Sequence, residues 1–319
     1  MPEVVTLTLN PSLDESTSVD HVISERKLRC SQTHYEPGGG GINVSRVLHR
    51  FGCEAPAIYP SGGPAGALLG RLLDAEGVPH RPVAIEAWTR ENFNVLEKAS
   101  GRQYRFCFEG PILSPADLER CLAEWTGLRP TPPWLVASGS LPPGVPPDFY
   151  ARLARLARER GARLLLDASG EALRLAVREG VFLWKPSRRE LEQLAGVAGA
   201  DEAALDAIAR DLVRAGACEL LFLSLGSGGA LWMTKEGGGR IAAPAVPYAS
   251  GVGAGDSMVA GMVLRLLAGG SPAEVARYGV AAASASVMNP GTALCQRADV
   301  ERLYETMQRQ PPSPSGRGA

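Results

Sequence analysis

Short apolar runs alternate with helical patterns along most of the chain, and this alternation constrains the fold more than any other feature. Five runs predict strands that are buried on both faces: residues 4–9, 134–137, 163–166, 181–184 and 219–225. Helical patterns occupy residues 151–160, 201–215 and 259–268. This order predicts an α/β fold in which helices cover both faces of a mostly parallel sheet.

Two segments, residues 16–37 and 88–109, interrupt the alternation. They mix polar with apolar or aromatic residues and contain few helix signals. In the second segment, residues 92–97 and 103–106 flank a turn at Gly101, which predicts a β-hairpin. We expect these insertions to form a small antiparallel sheet that covers the cleft, pairs with a second copy of the chain, or does both. Residues 1–15, 38–87 and 110–308 would then form the α/β core.

Composition argues against several kinds of partner. The 319 residues contain 33 Lys and Arg against 34 Asp and Glu, so nothing favours nucleic acid or an anionic membrane. No apolar stretch approaches the roughly 20 residues that span a bilayer, and the first residues lack the basic start of a signal peptide. The six cysteines form no C-x-x-C pair, which favours reduced thiols in a cytoplasmic protein. Residues 309–319 are expected to be disordered.

The segment G-V-G-A-G-D-S-M, residues 251–258, is the most informative for function. Because a helix is predicted to follow, the amides of Gly253, Ala254 and Gly255 should converge at a helix N-terminus. Free N–H groups and the helix dipole attract an anion such as phosphate there. Asp256 could then accept a proton from a hydroxyl that attacks a phosphoryl group. The alternative is a glycine-rich loop in which Asp256 only caps the helix.

A second glycine-rich turn, G-G-G-G-I-N-V at residues 38–44, leads into a helix predicted over residues 43–51. Four consecutive glycines allow a ligand to approach the backbone, at an entropic cost that a plain connection does not need. Glycine runs also serve as flexible linkers, so this turn alone decides nothing. The sequence contains no G-x-x-x-x-G-K-[ST], which excludes a Walker-type phosphate loop.

Polar residues stand near the predicted strand ends, where ligands bind in parallel sheets. Asp14 ends N-P-S-L-D after the first strand, and Arg90, before the hairpin, could contact a phosphate. Lys27 and Arg29 lie on the first insertion. The alternatives are a turn residue for Asp14 and solvated side chains for the three cations.

Two more motifs follow predicted strands. Residues 185–190, K-P-S-R-R-E, lead into a helix, and Glu190 could hold Mg²⁺ through water because magnesium prefers few carboxylates and several waters. The alternative for Glu190 is a favourable charge in the first helical turn. Residues 224–229, S-L-G-S-G-G, are loose enough to follow the ribose and phosphates of a nucleotide, although a tight turn explains them equally well.

In this order the motifs resemble those of the ribokinase-like (PfkB) family of carbohydrate kinases, over residues 3–308. The shared motifs are N-P-S-L-D at 10–14, G-G-G-G-I-N-V at 38–44, S-G-S-L-P-P-G at 138–144, D-A-S-G at 167–170, K-P-x-x-x-E at 185–190, S-L-G at 224–226 and G-A-G-D at 253–256. The resemblance implies a three-layer sandwich with a mostly parallel central sheet, plus a small antiparallel β-sheet lid that also forms a homodimer interface.

The resemblance also implies a role for each candidate residue. Asp256 would be the catalytic base, with an anion hole formed by Gly253, Ala254 and Gly255. The sugar phosphate would bind Asp14, Gly39, Asn43, Arg90, Ser140, Lys27 and Arg29. ATP would contact Lys185, Ser187, Ser224, Gly226 and Gly228, while Mg²⁺ would be held through water by Asp167 and Glu190. A K⁺ ion beside the anion hole would take oxygens from Ser250, Val252, Asn289 and Gly291.

Residue 40 bears on the choice of sugar. Residues 27–30, 36–41 and 103–106 are most similar to the minor-isozyme type of bacterial ATP-dependent 6-phosphofructokinase. Fructose-1-phosphate and tagatose-6-phosphate kinases of this branch carry lysine where this chain has Gly40. The resemblance therefore implies phosphorylation of fructose 6-phosphate on its 1-hydroxyl. A tagatose-6-phosphate kinase, a 1-phosphofructokinase and a catalytically silent sugar-phosphate-binding regulator remain alternatives.

Two positions depart from the family pattern. Ser187 stands where the family has asparagine in K-P-N-x-x-E, and Gly251 stands where threonine is common. A shorter polar group at one position and a lost hydroxyl at the other are expected to weaken nucleotide or Mg²⁺ binding. Neither position touches Asp256, so we expect the chemistry to persist.

Overall fold

The computed structural model describes residues 2–291 and 293–309, and none of its helices there is long and apolar enough to cross a membrane. The described strands are β1 Val4–Leu7, β2 Ser12–Val19, β3 His34–Gly38, β4 Ala57–Ser61, β5 His80–Ala84, β6 Arg90–Glu97, β7 Gln103–Phe106, β8 Trp134–Ser138, β9 Arg163–Asp167, β10 Val181–Trp184, β11 Cys218–Ser224, β12 Ala230–Met233 and β13 Gly238–Ile241. The described helices are α1 Gly40–Arg50, α2 Gly63–Glu76, α3 Pro115–Thr126, α4 Phe149–Glu159, α5 Gly170–Glu179, α6 Arg188–Ala195, α7 Glu202–Arg214, α8 Ala254–Leu267, α9 Pro272–Val287 and α10 Arg297–Arg309. The predicted disorder of the tail falls on residues outside the described ranges, apart from Arg309 at the end of α10.

Nine strands form a large sheet in the order β13-β12-β11-β10-β9-β8-β1-β4-β5. Neighbours from β11 to β5 all pair in parallel, and β12 and β13 add two antiparallel pairings at one edge. The predicted mostly parallel sheet is therefore confirmed.

Alternate side chains of a central strand face two different hydrophobic cores, one on each face of the large sheet. In β8, Leu135 and Ala137 join the core that α3 to α7 cover, whereas Trp134 and Val136 join the core that α1, α8, α9 and α10 cover. Burial of such apolar surface contributes about 25 cal/mol per Å² and holds the layers together. The molecule is a three-layer sandwich with helices on both faces, as predicted.

The strand order reverses direction at β1, which lies between β4 and β8. In open α/β sheets a crevice forms beyond the carboxyl ends of the strands at such a reversal, and ligands bind there. Asn10 follows β1, Ser138 ends β8 and Asp167 ends β9. The topology thus gathers polar residues from distant motifs at one edge.

Four strands in the order β3-β2-β6-β7 form the small sheet. The predicted hairpin is the antiparallel pair β6–β7, and β2–β3 is also antiparallel. The central pair β2–β6 is parallel, in contrast to the antiparallel arrangement expected throughout. The physical reason is that β2 follows β1 and β6 follows β5, so both strands leave the same edge of the large sheet in the same direction.

Candidate active site

A cavity of about 330 Å³ lies between the small sheet and the carboxyl ends of β1, β8 and β9, and we call it the Asp256 cavity. Among the predicted site residues, the structure places around it Asp14, Gly39, Asn43, Arg90, Ser140, Asp167, Glu190, Val252, Gly253 and Asp256. The remaining lining residues are Ser12, Gly40, Ser138, Gly139, Ala168 and Ser169, which belong to the motifs quoted above, and Asn92, Arg105 and Cys107, which were not predicted as site residues. Most of the predicted catalytic and sugar-binding residues therefore meet in one place.

Helix α8 begins at the edge of this cavity, with Gly253 as its N-cap. Gly253 has a φ of 75°, in the left-handed region, and a Cβ there would lie 2.6 Å from Leu294 Cδ2. Both the backbone conformation and the available space therefore require glycine. No side chain caps the helix, so the amides of its first turn are left to bind an anion.

Helix α1 presents a second N-terminus to the same cavity. It begins at Gly40, three residues before the predicted start at Asn43; its N-cap Gly39 has no side chain to cap it, and Thr8 Oγ1 accepts from the amide of Ile42 at 3.0 Å. Its N-cap Gly39 has a φ of 114°, and a Cβ there would lie 2.8 Å from Thr8 Cγ2. Two helix dipoles therefore place their positive ends at one cavity, which favours negatively charged ligands.

The carboxylate of Asp256 is held by Asn43. Asn43 Nδ2 donates a hydrogen bond of 2.8 Å to Asp256 Oδ2, and Arg46 Nη1 donates one of 3.2 Å to Asn43 Oδ1. Arg46 is buried and pairs through Nη2 with Glu76 Oε1 at 2.6 Å. Because Arg46 fixes the Asn43 oxygen on its own side, the amide nitrogen must face Asp256.

Burial raises the pKa of Asp256 to about 7. The hydrogen bond from Asn43 acts in the opposite direction, and the nearby Asp167 carboxylate adds to the rise. A base works best when its pKa lies near the working pH, because it is then both available and strong enough to take a proton. Asp256 thus has the position and the basicity of a general base.

Lys185 lies behind the first turn of α8. Its Nζ lies 3.2 Å from Asp167 Oδ1 and 3.9 Å from the position that a Cβ on Gly255 would occupy. Burial raises the pKa of Asp167, and the Lys185 ammonium opposes that rise. The lysine therefore places a positive charge where anionic groups at the α8 N-terminus would gather.

Ser187 and Glu190 form a capping box at the start of α6. Ser187 N and Oγ donate to Glu190 Oε2 at 2.7 and 2.8 Å, and Glu190 N donates to Ser187 Oγ at 3.3 Å. The box holds the Glu190 carboxylate at the wall of the Asp256 cavity. Helix capping and a role at the cavity are therefore compatible for this residue.

The carboxylates at the cavity fit a magnesium ion that arrives with a nucleotide. Among the described residues, no group of three or more His, Cys, Asp and Glu could hold a metal by itself. Mg²⁺ keeps several waters and usually needs only one or two carboxylates when phosphates supply other ligands. Asp167 and Glu190 provide that pair on one side of the cavity.

On the opposite side, the small sheet orients Asp14. Asp14 Oδ1 accepts hydrogen bonds from Ser12 Oγ at 2.7 Å and from Asn92 Nδ2 at 2.9 Å. Asn92 lies directly opposite Asp14 in the parallel pair β2–β6. One carboxylate oxygen is thereby fixed, and the group remains able to accept a hydrogen bond from a ligand hydroxyl.

Arg90 is held by three backbone carbonyls. Its Nη1 donates to Phe108 at 2.6 Å, its Nη2 to Asn10 at 2.9 Å and its Nε to Pro11 at 3.4 Å. Each terminal nitrogen of a guanidinium carries two N–H groups, so one on each remains for an anion. The carbonyls fix the fork that the predicted phosphate contact needs.

Three basic side chains, those of Arg105, Lys27 and Arg29, lie on the small sheet or beside it, and one of them lines the cavity. Arg105 on β7 lines the cavity and donates through Nε to Asn94 Oδ1 at 3.3 Å, although it was predicted only as part of a hairpin. Lys27 and Arg29 lie on the exposed segment between β2 and β3 and do not line the Asp256 cavity. Their predicted contact with the sugar phosphate stays a prediction.

An apolar pocket of about 800 Å³ lies on the other side of the α8 N-terminus. It is lined by Ser224, Gly226, Ser227, Gly229, Ala243, Pro244, Ala245, Val246, Tyr248, Gly251, Ala254, Gly255, Met258, Val280, Ala283, Ser284 and Val287. The predicted nucleotide contacts Ser224 and Gly226 are among these residues, whereas Ser187, Lys185 and Gly228 are not. A concave apolar pocket with free amides at one end suits a nucleotide.

The loop predicted to bind K⁺ is close to α8. Ser250 Oγ donates to Gly291 O at 2.6 Å, and Val252 N donates to Ser250 Oγ at 3.3 Å. Asn289 Nδ2 donates to the carbonyl of Ala285 at 3.2 Å. The first two contacts bring Ser250, Val252 and Gly291 together, and K⁺ binding stays a prediction.

Comparison with known proteins adds three matches. ATP-dependent 6-phosphofructokinase isozyme 2 of Mycobacterium tuberculosis is 45% identical over 304 residues, which cover 95% of this chain and 89% of the relative. The isozyme 2 of Escherichia coli is 41% identical over 310 residues, 97% of this chain and 100% of the relative. The crystal structure of phosphofructokinase-2 from Escherichia coli in complex with fructose-6-phosphate has a TM-score of 0.91 at 38% identity, covering 97% of this chain and 100% of that one.

These similarities extend over nearly the whole chain and confirm the three-layer fold that the motifs implied. Residues 7–299 match the family described as pfkB family carbohydrate kinase, and that range includes both helix N-termini at the cavity, the small sheet and every strand of the large sheet after β1. The chain therefore belongs to the pfkB family of carbohydrate kinases.

Proposed function

We propose that this protein transfers the γ-phosphoryl group of ATP to the 1-hydroxyl of fructose 6-phosphate and so forms fructose 1,6-bisphosphate. The observation that carries the proposal is the position of the first turn of α8. Gly253 and Asp256 line the Asp256 cavity, whereas Ala254 and Gly255 line the apolar pocket. A phosphoryl group held at this turn lies between a sugar on one side and a nucleotide on the other.

The transfer follows from these positions. Asp256 takes the proton of the 1-hydroxyl while that oxygen attacks the γ-phosphorus in line, and the bond from phosphorus to ADP breaks. Amides of α8 and the ammonium of Lys185 stabilise negative charge on the transferred group. Mg²⁺ bound to the ATP phosphates would neutralise further charge, and Asp167 and Glu190 would hold it through water.

The residue at position 40 supports fructose 6-phosphate as the sugar. A Cβ on Gly40 would lie 2.1 Å from Ser138 Oγ and 3.1 Å from the Ser138 carbonyl carbon. A lysine, which the alternative kinases carry here, would require the end of β8 to move. The sugar site of this chain is therefore built around a glycine, with Asp14 and Arg90 facing the same cavity.

The small sheet supports a homodimer as the functional unit. It and the segment between β2 and β3 expose apolar side chains at Val22, Ile23, Leu28, Tyr35, Leu96 and Phe106. Clustered exposed apolar groups on a small sheet favour pairing with another surface. Analytical ultracentrifugation of the wild type and of Tyr35→Asp should show a dimer and a weakened dimer, and a monomeric wild type would contradict this assembly.

The proposed enzyme also binds a monovalent cation, K⁺, beside the N-terminus of α8. Ser250 and Gly291 place oxygens beside the α8 N-terminus, where K⁺ would support the backbone of the anion hole. Turnover in KCl should exceed turnover in NaCl at equal ionic strength, and equal rates would remove K⁺ from the mechanism.

The proposed activity is tested by measuring ADP production from MgATP with fructose 6-phosphate, tagatose 6-phosphate and fructose 1-phosphate. We expect the highest kcat/KM with fructose 6-phosphate. A preference for another sugar would overturn the substrate and leave the transfer chemistry in place. Absence of turnover with all three, in protein that binds ATP, would support the silent regulator instead.

A further inference from the structure

Tyr248 stands at the mouth of the apolar pocket with most of its side chain in solvent. It is 75% exposed, and it is the single aromatic side chain among the described residues that line the pocket. The other lining residues are small or aliphatic, such as Ala243, Val246 and Val280. An aromatic ring at the open side of an otherwise aliphatic pocket is placed to cover a flat ligand.

The phenol of Tyr248 also explains the glycine at position 251. A Cβ on Gly251 would lie 3.0 Å from Tyr248 Oη, which is tighter than ordinary van der Waals contact, and 3.9 Å from Tyr248 Cζ. The φ of Gly251 lies outside the left-handed region, so the backbone itself does not require glycine. The space above Gly251 is therefore kept for the tyrosine hydroxyl.

That hydroxyl lies close to the anion-binding end of the pocket. Gly251 is two residues before Gly253, the N-cap of α8, and both Ala254 and Gly255 line the same pocket as Tyr248. A phenol hydroxyl donates one hydrogen bond, and at this position its acceptor would be a ribose or phosphate oxygen. The Tyr248 hydroxyl thus takes the place of the hydroxyl that a threonine at position 251 would supply.

We infer that Tyr248 is a nucleotide-binding residue of this kinase: its ring covers the nucleotide at the mouth of the apolar pocket, and its hydroxyl, seated over Gly251, donates to the nucleotide near the α8 N-terminus. The inference rests on the proposed function in that it assigns the apolar pocket to ATP. It does not depend on which sugar the enzyme uses.

The test is calorimetric titration with the magnesium complex of AMP-PNP, a non-hydrolysable ATP analogue, without sugar. Tyr248→Ala should raise Kd about tenfold, the effect of losing one aromatic contact and one hydrogen bond. Tyr248→Phe should raise Kd about threefold, because the ring remains and only the hydrogen bond is removed. In turnover assays, KM for ATP should rise in Tyr248→Ala while kcat and KM for the sugar stay within about twofold.

Gly251→Ala is a second test variant, because its added methyl group displaces the phenol of Tyr248 without removing it. This variant should weaken binding of the analogue severalfold, and combining it with Tyr248→Ala should cost little more than Tyr248→Ala alone. Trp88→Ala is the matched control, since Trp88 is 69% exposed and lies outside the pocket. Its Kd should equal that of the wild type.

The outcomes separate this inference from the proposed function. A wild type that does not bind the analogue would overturn the assignment of the pocket to ATP. Wild-type binding with an unchanged Kd in a folded Tyr248→Ala protein would overturn the role of Tyr248 alone. Fully additive effects of Tyr248→Ala and Gly251→Ala would disprove that the phenol acts from its place over Gly251.

Discussion

Asn43 and Asp256 lie 213 positions apart in the sequence, yet a hydrogen bond of 2.8 Å from Asn43 Nδ2 to Asp256 Oδ2 joins the first turns of α1 and α8. The two glycine-rich motifs therefore meet at one carboxylate. The bond fixes the direction in which the carboxylate faces, and it partly offsets the effect of burial on its pKa.

Asp256→Asn should remove most of the activity. The amide keeps the size of the side chain and can still accept the bond from Asn43, but it cannot accept the proton of a sugar hydroxyl. We expect kcat to fall by at least ~10²-fold, the usual loss for a positioned general base. Steady-state kinetics with saturating MgATP measures this, and turnover at the wild-type rate would disprove the role of Asp256.

The same variant should be more stable than the wild type at alkaline pH. Because the pKa of Asp256 is raised from its ordinary 3.8 to about 7, its ionisation is less favourable in the folded state than in the unfolded chain. Its contribution to stability therefore falls as pH rises from about 4 to about 7. Asp256 is only partly buried, so we expect a gain of about 1–2 kcal/mol at pH 8, or a few degrees in Tm. The difference should vanish at pH 4, and a difference that is equal at both pH values would contradict this linkage.

The pH dependence of turnover should report the bond to Asn43. Activity requires ionised Asp256, so kcat/KM should fall as pH drops below about 7. Asn43→Ala removes a hydrogen bond that stabilises the carboxylate, and the midpoint should move to higher pH. Asn92→Ala is the matched control, because that amide donates to Asp14 instead. If Asn43→Ala left the midpoint in place, the bond would have no part in setting the basicity.

Arg46 is a positioning residue whose effect should reach Asp256 through Asn43. In Arg46→Lys the charge opposite Glu76 is kept, but the planar fork that holds both Glu76 and Asn43 is lost. We expect kcat to fall about tenfold, as for one weakened hydrogen bond to a charged group. The pH at which kcat/KM falls to half of its maximum should rise. Arg50→Lys, one turn later on α1, should change neither quantity. A variant with lower stability but unchanged kcat and pH profile would make Arg46 purely structural.

The capping box at Ser187 should affect how the reaction rate depends on Mg²⁺ concentration, whereas a capping box away from the cavity should affect only stability. Ser187→Ala removes the bond from Ser187 Oγ and leaves only the backbone amide of residue 187 to hold the Glu190 carboxylate, so the Mg²⁺ concentration for half-maximal rate should rise severalfold. Ser187→Asn restores a polar cap and should bring the curve back toward the wild type. Ser271→Ala removes an equivalent box at α9, where it should cost about 1 kcal/mol of stability without changing the Mg²⁺ curve. Equal Mg²⁺ curves for Ser187→Ala and the wild type would show that the box only stabilises the helix.

The sequence was sufficient for the parts of the fold that have local signals. Residues 181–184 were predicted as a strand and form β10 without change, and the start of β8 at Trp134 was also predicted. The start of α1 was placed three residues late because Gly40 and Gly41 are poor helix formers that here follow a left-handed Gly39. A run of glycines permits many backbone conformations, so the sequence alone does not show whether Gly40 and Gly41 are helical.

The missed site residues depend on contacts between distant segments. Asn92 faces Asp14 only because β2 and β6 pair in parallel, and no local pattern sets that register. Arg105 reaches the cavity only through the pairing of β7 with β6. Arg46 had a local signal that was available: it lies three residues after Asn43, on the same helical face, and it is an arginine between the apolar residues Val44 and Val47.

The parallel pair at the centre of the small sheet has an evolutionary consequence. Asp14 and Asn92 belong to β2 and β6, whereas Asp256, Asn43 and the anion-binding amides belong to helices packed on the large sheet. Mutations in the paired strands can therefore alter the contacts that Asp14 and Asn92 offer to the cavity and leave Asp256, Asn43 and the helix N-termini in place. Such a division lets duplicated genes diverge toward new acceptors while inheriting one ancestral reaction.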